Sequence, residues 1–301
     1  MDPGQEDPTP ELESGPTTDE ALAATKEALL RFLRVERPKE IFYLGQLQVI
    51  FEDRRFLKTR WGMRAPFHWI TAKALSQLEA EGRIASHRDP QQTGSLNAMR
   101  FFHSKSHRDW RMQAREIHEL MEEMSRPNFN HAVGHIAEVL FDSALAAADF
   151  TIAAKDVNEW NGTKWTRTNE DLDRIYVHRD GTAYGVEMKN TLPYIERLVF
   201  ETKLEMCAVL KLRPLFIARK MPEVYVQRTY RSGGYALLYK HQLYPFGFED
   251  LAERVRRRLE LPVACLRAVP DGDIRRFLNW REKGRKIADP GGNPQDPPAS
   301  R

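Results

Sequence analysis

The chain has 301 residues and a mass of 35.0 kDa, which is enough for two domains with cores of their own. It carries 46 Lys and Arg residues against 43 Asp and Glu, a formal net charge of +3. This balance excludes a protein that binds nucleic acid through a globally basic surface, so any such contact must come from local patches. Its two cysteines, Cys207 and Cys265, lack metal-site spacing and are expected to be reduced thiols.

The two ends of the chain are predicted to be disordered. Residues 1–18 are acidic, rich in Pro and nearly free of large apolar side chains, and residues 289–301 have a similar character. The N-terminus lacks a signal-peptide pattern, and no apolar run approaches the roughly 18 residues of a membrane span. We therefore expect a soluble protein of the cytoplasm without a membrane partner.

Residues 19–105 are predicted to form a first domain of three helices and a hairpin. Thr18 is a suitable N-cap for a helix that extends to about residue 34, and apolar periodicity indicates helices over 44–54 and 66–82. Two β-like segments follow, 83–87 and 97–103. Three helices followed by a hairpin resemble a winged helix-turn-helix domain.

This resemblance implies that the third helix enters the major groove of DNA and that the hairpin contacts the phosphate backbone. The implied contacts are His68, Thr71, Lys73 and Gln77 on the helix, Arg60 and Arg64 before it, and Arg88 and Arg100 in the hairpin. Winged helices also dock onto proteins, and Glu79 and Glu81 oppose DNA at the helix end. The sequence leaves both roles open.

A charged helix with an apolar stripe is predicted over residues 107–125. We assign residues 106–127 to a linker helix and residues 128–245 to a second domain. That domain begins with a helix over 130–148, in which Glu138 lies just beside the apolar stripe. An α/β fold with a mixed central sheet is expected to follow.

A hairpin over residues 171–190 carries the charges that suggest chemistry. Tyr184, Val186 and Met188 alternate with Gly185, Glu187 and Lys189, which is typical of a half-buried strand and places Glu187 and Lys189 on one face. The preceding strand contains Asp171 and Asp173. Whether these aspartates share the face of Glu187 depends on the turn between the strands.

Two turns fit the sequence equally well. A two-residue loop at Asp180-Gly181 pairs Arg174 with Glu187 and turns both aspartates away. A three-residue loop that begins at Arg179, with the glycine in the left-handed conformation, pairs Asp173 with Glu187 instead. Only the second register brings two carboxylates together, and the choice between Asp171 and Asp173 stays open as well.

Two neighbouring carboxylates repel each other unless a cation lies between them. Hard oxygen ligands that leave positions for water are what Mg²⁺ takes, and Mn²⁺ is similar. A metal-activated water beside Lys189 is a route to the hydrolysis of a phosphodiester. The lysine can orient that water or stabilise charge on the phosphate.

The sequence Asp173, thirteen intervening residues and then Glu187-Met188-Lys189 resembles the PD-(D/E)xK motif of restriction-endonuclease-like and Holliday-junction-resolvase-like nucleases. The resemblance implies a core of order αβββαβ, which the chain matches over about residues 128–221. It also implies that Asp173, Glu187 and Glu138 hold the metal, and that Lys189 completes the catalytic set. The proline that often precedes the aspartate is absent.

Further basic residues follow the hairpin. A helix over 194–212 and a strand over 214–218 leave Arg219 at the strand end, and residues 225–239 are predicted as strands that carry Arg228 and Arg231. These three arginines are candidates for DNA contact, although the last two also fit a solvated edge. Residues 246–288 are predicted as a helical and strand extension.

The resemblance and the motifs together predict a Mg²⁺-dependent DNA endonuclease that a winged helix positions on duplex or branched DNA. A DNA-binding regulator with an inactive nuclease-like domain is the first alternative. The second is a protein-interaction component of a defence or mobile-element system. An RNA substrate stays open, and cleavage of both strands of a duplex would favour a homodimer.

Overall fold

The computed structural model describes residues 17–59, 62–88 and 99–288 as a mixed α/β protein. Its contacts form two compact units: the described part of Met1–Asn130 with Gly247–Val263, and His131–Phe246 with the described part of Ala264–Arg301. The predicted extension at 246–288 is thus divided between the units. Within the described ranges, no helix combines the length and apolar character needed to cross a membrane.

The helices and strands alternate irregularly along the chain. The first half contains α1 (Thr18–Arg31), a π-helical turn (Phe32–Glu36), β1 (Ile41–Tyr43), α2 (Leu44–Phe51), β2 (Leu57–Thr59), β3 (Gly62–Arg64), α3 (His68–Ala80), β4 (Ala85–Arg88), β5 (Arg100–His103) and α4 (Trp110–Met124). The second half contains α5 (Pro127–Ala146), β6 (Phe150–Val157), β7 (Glu159–Trp160), β8 (Thr163–Lys164), β9 (Leu172–His178), β10 (Ala183–Lys189), α6 (Arg197–Val209), β11 (Arg213–Ala218), α7 (Glu223–Arg231), β12 (Tyr235–Leu238), β13 (Gln242–Leu243), α8 (Glu249–Leu259), β14 (Val263–Ala264) and α9 (Asp271–Ala288).

The first unit has three helices packed around one apolar core. The helices α1 and α2 both pack on α3, and a three-stranded antiparallel sheet of order β1-β5-β4 completes the unit's core. The fully buried members of the core include Leu29, Leu33, Leu47, Phe51, Leu75 and Phe102. The predicted three helices and two hairpin strands are therefore confirmed as elements, with ends that differ by at most three residues.

The start of α1 corrects one prediction. Thr17, and not Thr18, caps the helix, because its hydroxyl accepts the backbone N–H of Glu20 while the Glu20 carboxylate accepts the N–H of Thr17. This reciprocal pair is a capping box, which satisfies two donors that helix geometry would leave unpaired. The threonine three residues before a glutamate is the signal that identifies the correct cap.

The second unit is built on a five-stranded mixed sheet of order β12-β11-β10-β9-β6. The strands β10, β11 and β12 are parallel, whereas β9 is antiparallel to both of its neighbours. One face packs against α5 and α9 through side chains such as Phe141, Tyr176, Val186 and Phe277. The other face packs against α6 and α7.

The segment after β11 corrects a second prediction, since residues 223–231 form helix α7 and only β12 remains of the predicted strands. Tyr225 and Thr229, one helical turn apart, are both buried, and the Tyr225 ring stacks on Phe200 at 4.2 Å. This packing outweighs the β propensity of the Tyr, Val and Thr residues. Gly234 closes the helix with a hydrogen bond from its N–H to the Thr229 carbonyl.

The close packing of α6 on the sheet requires a glycine in β10. A Cβ at Gly185 would lie 2.7 Å from Cys207 Sγ and 2.8 Å from Leu172 Cδ1. By contrast, a Cβ at Gly134 in α5 would meet nothing within 4 Å. The same substitution is therefore expected to have opposite effects at the two positions.

We predict that Gly185→Ala lowers the free energy of unfolding by about 1–3 kcal/mol, because buried side chains must shift to admit the methyl group. Gly134→Ala should raise it by up to about 1 kcal/mol, because alanine is the better helix former. Urea denaturation of both variants measures the difference. Equal effects of the two substitutions would contradict this packing of α6.

Candidate active site

The turn between β9 and β10 determines the geometry of the site. His178 and Thr182 are joined by a backbone hydrogen bond, and the loop between them has three residues, the last of which is Gly181 with φ of +83°. The resulting register pairs Gly185 with Ile175 and Val186 with Arg174. Continued by one residue, it places Asp173 opposite Glu187, so the structure has the three-residue loop, one of the two turns that the sequence leaves open.

The half-buried Asp173 and the buried Glu187 form a carboxylate pair on the face of the sheet that α6 covers. Asp173 Oδ2 accepts the backbone N–H of Met188 at 2.6 Å, and only 2 % of the Glu187 side chain is exposed. Burial, reinforced by the charge of Glu187, raises the pKa of Asp173 to about 6. The pair therefore carries its full negative charge at neutral pH only at an energetic cost.

Lys189 lies on the same face as Glu187, two residues along β10. Its Nζ is 2.8 Å from Glu187 Oε1, and 37 % of its side chain is exposed. The predicted juxtaposition of Asp173, Glu187 and Lys189 is thus present in the structure. The exposed part of Lys189 marks the side from which solvent reaches the carboxylates.

Lys203 is a component of the site that the sequence analysis missed. It lies on α6, and its Nζ is 3.0 Å from Glu187 Oε2 and 2.9 Å from Glu170 Oε2. Burial opposes its charge, but the two carboxylates outweigh burial and raise the pKa of Lys203. A signal was available in the sequence, because Lys203 interrupts the apolar stripe of Phe200, Met206 and Cys207 on α6.

Glu138 is not brought to the carboxylate pair. It lies on α5, where its Oε2 is 2.6 Å from the guanidinium of Arg174. Because Arg174 neighbours Asp173 in β9, the two side chains point to opposite faces of the sheet. Arg174 also lies 3.5 Å from Asp142, so Glu138 belongs to an ion-pair cluster on the α5 face. Its predicted role as a metal ligand has no support from these contacts.

Asp173 in β9 and Asp171, which directly precedes the strand, differ in what they contribute. Asp173 presents its carboxylate to Glu187, whereas Asp171 presents its backbone carbonyl to the ammonium of Lys203. Among the described residues, no group of three or more His, Cys, Asp or Glu side chains is arranged to hold a metal. The donor set that fits a divalent cation is therefore the two carboxylates of Asp173 and Glu187, with remaining positions for water and phosphate.

The predicted DNA contacts of the first unit are only partly exposed. Thr71 is fully buried with its hydroxyl directed to the Phe67 carbonyl, so it is removed from the set of contacts. His68 is largely buried and binds Glu52 at 3.0 Å. Lys73 is exposed and Gln77 half-buried. Trp69, which the sequence analysis did not select, lies on the exposed face one turn before Lys73.

The arginines predicted as DNA contacts in the first unit differ in exposure and in their partners. Arg60 lies outside the described residues, and Arg64 is half-buried in β3. Arg100 forms an ion pair with Glu79, which neutralises one of the two acidic residues that oppose DNA. Arg88 is exposed at the end of β4.

The arginines of the second unit differ in exposure. Arg219 is buried, and its guanidinium donates to the Leu192 carbonyl at 2.6 Å, so this arginine supports a loop and does not face a ligand. Arg228 forms a two-point ion pair with Glu201. Arg231 is exposed at the end of α7. Arg231 is thus the best placed of the three for contact with a phosphate.

Comparison with known proteins gave no match. No protein-family model matches the chain, and neither the curated proteins nor the solved structures include a significantly similar one.

We predict that Asp173→Asn raises the free energy of unfolding at pH 7.5, measured with a chelator present, by an amount of the order of 1–3 kcal/mol. The folded protein holds the Asp173 proton up to about pH 6, whereas the unfolded chain loses it near 3.8. The wild type is therefore destabilised as pH rises through this window, and the asparagine is not. Urea denaturation from pH 4.5 to 7.5 measures the effect.

A matched control is Asp180→Asn in the turn. Hydrogen bonds from Thr182 and His178 outweigh burial and lower the pKa of Asp180. Its charged form is thus stabilising, and the control should lower the free energy of unfolding at pH 7.5. Stabilisation by Asp173→Asn that does not change with pH would contradict the assignment of the raised pKa.

Proposed function

We propose that the chain is a divalent-metal-dependent DNA endonuclease whose active site is the β9–β10 hairpin. The observation that carries the proposal is the register of the hairpin. It pairs the carboxylates of Asp173 and Glu187 on one face and places the ammonium of Lys189 beside them. Two neighbouring carboxylates with an adjacent ammonium suit the metal-assisted hydrolysis of a phosphodiester.

The carboxylate pair suits Mg²⁺ or Mn²⁺ for an electrostatic reason. Asp173 is half-buried beside the buried Glu187, and their mutual repulsion makes the doubly charged state costly. Their carboxylate oxygens would hold a hard divalent cation, and this would relieve the repulsion. When bound, such a cation supplies a Lewis acid and lowers the pKa of a bound water.

Glu187 can accept a cation through the oxygen that Lys189 now contacts. Oε1 pairs with the partly exposed Lys189, and Oε2 pairs with Lys203, of which 5 % of the side chain is exposed. Moving Lys189 into solvent costs less free energy than moving Lys203. The ion pair of Lys189 is partly exposed and therefore weak, whereas removing Lys203 would leave a buried carboxylate without its partner. Lys189, once released, is positioned to contact the scissile phosphate and to stabilise its developing charge.

The first unit supports delivery to DNA. Apart from the β2–β3 hairpin between α2 and α3, its order of α1, β1, α2, α3, β4 and β5, with β5 between β1 and β4 in the sheet, resembles that of a winged helix. The exposed face of α3 carries Trp69, Lys73 and Ser76 at helical spacing. A lysine suits phosphate contact, and an indole suits contact with an apolar base edge.

A DNA-binding regulator with an inactive nuclease-like domain is the second candidate, and one observation favours it. Both oxygens of Glu187 already have an ammonium partner, so this carboxylate is neutralised without a metal. In that case the hairpin would be a scaffold, and the first unit would carry the function.

The test is cleavage of supercoiled, linear and branched DNA by the full chain in Mg²⁺, in Mn²⁺ and in chelator. We expect metal-dependent cleavage that Glu187→Gln reduces by about 100-fold or more, because the variant loses a charged ligand. The control is Glu205→Gln on α6, an exposed glutamate that pairs with Arg167 and should retain full activity.

Binding to the same DNA in chelator separates the two candidates. DNA that is bound by both variants and cut by neither, nor by the wild type, would contradict the endonuclease and favour the regulator. RNA oligonucleotides of the same sequence test the class of nucleic acid, because only RNA presents a 2′-hydroxyl.

A further inference from the structure

The ammonium of Lys203 is surrounded by oxygens in the way that a bound metal cation would be. Its Nζ lies among three oxygens: Glu187 Oε2 at 3.0 Å, Glu170 Oε2 at 2.9 Å and the backbone carbonyl of Asp171, to which it donates a hydrogen bond. An ammonium is a donor only, and here it forms ion pairs with the two carboxylates and donates a hydrogen bond to the carbonyl. Only 5 % of the Lys203 side chain is exposed.

The burial of this lysine needs an explanation. A buried ammonium is unfavourable unless charged partners and hydrogen bonds compensate for its lost hydration, and here two carboxylates and a carbonyl do so. The same oxygens, without the lysine, would form a cluster of two carboxylates and a carbonyl at one end of Glu187. Such a cluster has the oxygen ligands that bind a divalent cation.

We propose that Lys203 occupies the place of a second metal ion, so that the site takes one divalent cation and not two. The inference rests on the endonuclease proposed above and specifies its metal stoichiometry. Two-metal phosphodiesterases hold their ions about 3.5–4 Å apart on shared carboxylates. In this chain Oε1 of Glu187 contacts the partly exposed Lys189, whereas Oε2 contacts the buried ammonium of Lys203.

Lys203 is thereby a positioning residue. It fixes the orientation of the Glu187 carboxylate from the α6 side, and its charge repels a second divalent cation. Glu170, which is 43 % exposed in its side chain, supports Lys203 and is not a ligand of the single metal.

The test measures how many Mn²⁺ ions the full chain binds in the absence of DNA. Binding is measured by titration calorimetry and by the loss of the electron paramagnetic resonance signal of free Mn²⁺. The blank is the double variant Asp173→Asn, Glu187→Gln. We expect the wild type to bind one Mn²⁺ more than the blank, and Lys203→Ala, which removes the side chain from among the oxygens, to bind two more. Lys164→Ala, at an exposed lysine, is the matched control and should bind one.

Glu170→Gln keeps the proposal testable if Lys203→Ala does not fold, as judged by circular dichroism. We expect this variant to bind one Mn²⁺ with a Kd within about threefold of the wild type, since it removes a partner of Lys203 and not a metal ligand.

The possible failures are distinct. A wild type that binds no more Mn²⁺ than the blank would contradict the proposed endonuclease itself. A wild type that binds two Mn²⁺ would overturn the role of Lys203 alone, as would a folded Lys203→Ala that binds one. A Glu170→Gln variant with an affinity more than about tenfold weaker would do the same, because a lost metal ligand has an effect of that size.

Discussion

The register of one β-hairpin determines whether this chain has an active site. A glycine in the left-handed conformation, Gly181, allows a three-residue loop, and that loop pairs Asp173 with Glu187. A register shifted by one residue would pair Arg174 with Glu187 and move the aspartates to the α5 face. The carboxylate pair, its ammonium partners and the raised pKa of Asp173 all depend on this turn.

The ion pairs on the two faces of the sheet serve different purposes. On the α5 face, the buried Arg174 pairs with Glu138 and Asp142, which compensates its charge within the protein. On the α6 face, Asp173 receives a backbone N–H, and burial beside Glu187 keeps its pKa high. A carboxylate that the fold holds in its charged form only at an energetic cost is characteristic of a ligand-binding site.

Alternation along β10 is a local signal, so the shared face of Glu187 and Lys189 could be predicted from the sequence. The Asp-Gly turn fits two loop lengths, so the sequence left the pairing of Asp173 with Glu187 open. The contribution of Lys203 could not be located in the same way, since it depends on how α6 packs on the sheet. Glu138 was expected at the metal because its helix precedes the hairpin, but the face that a helix covers is a tertiary property. Thr71 is predicted as a DNA contact from its position on α3, but the sequence does not show that this side of the helix is buried. Tyr225 and Thr229 have β propensity, yet they pack as one face of α7.

The most direct test of the metal site is a crystal structure of the full chain grown with Mn²⁺, with anomalous data collected to locate the ion. The account predicts one anomalous peak between Asp173 and Glu187 Oε1, with Lys189 withdrawn from its ion pair and Lys203 still bound to Glu187 Oε2. Crystals that contain Mn²⁺ elsewhere but none at this pair, with Lys189 and Lys203 both still on Glu187, would contradict it.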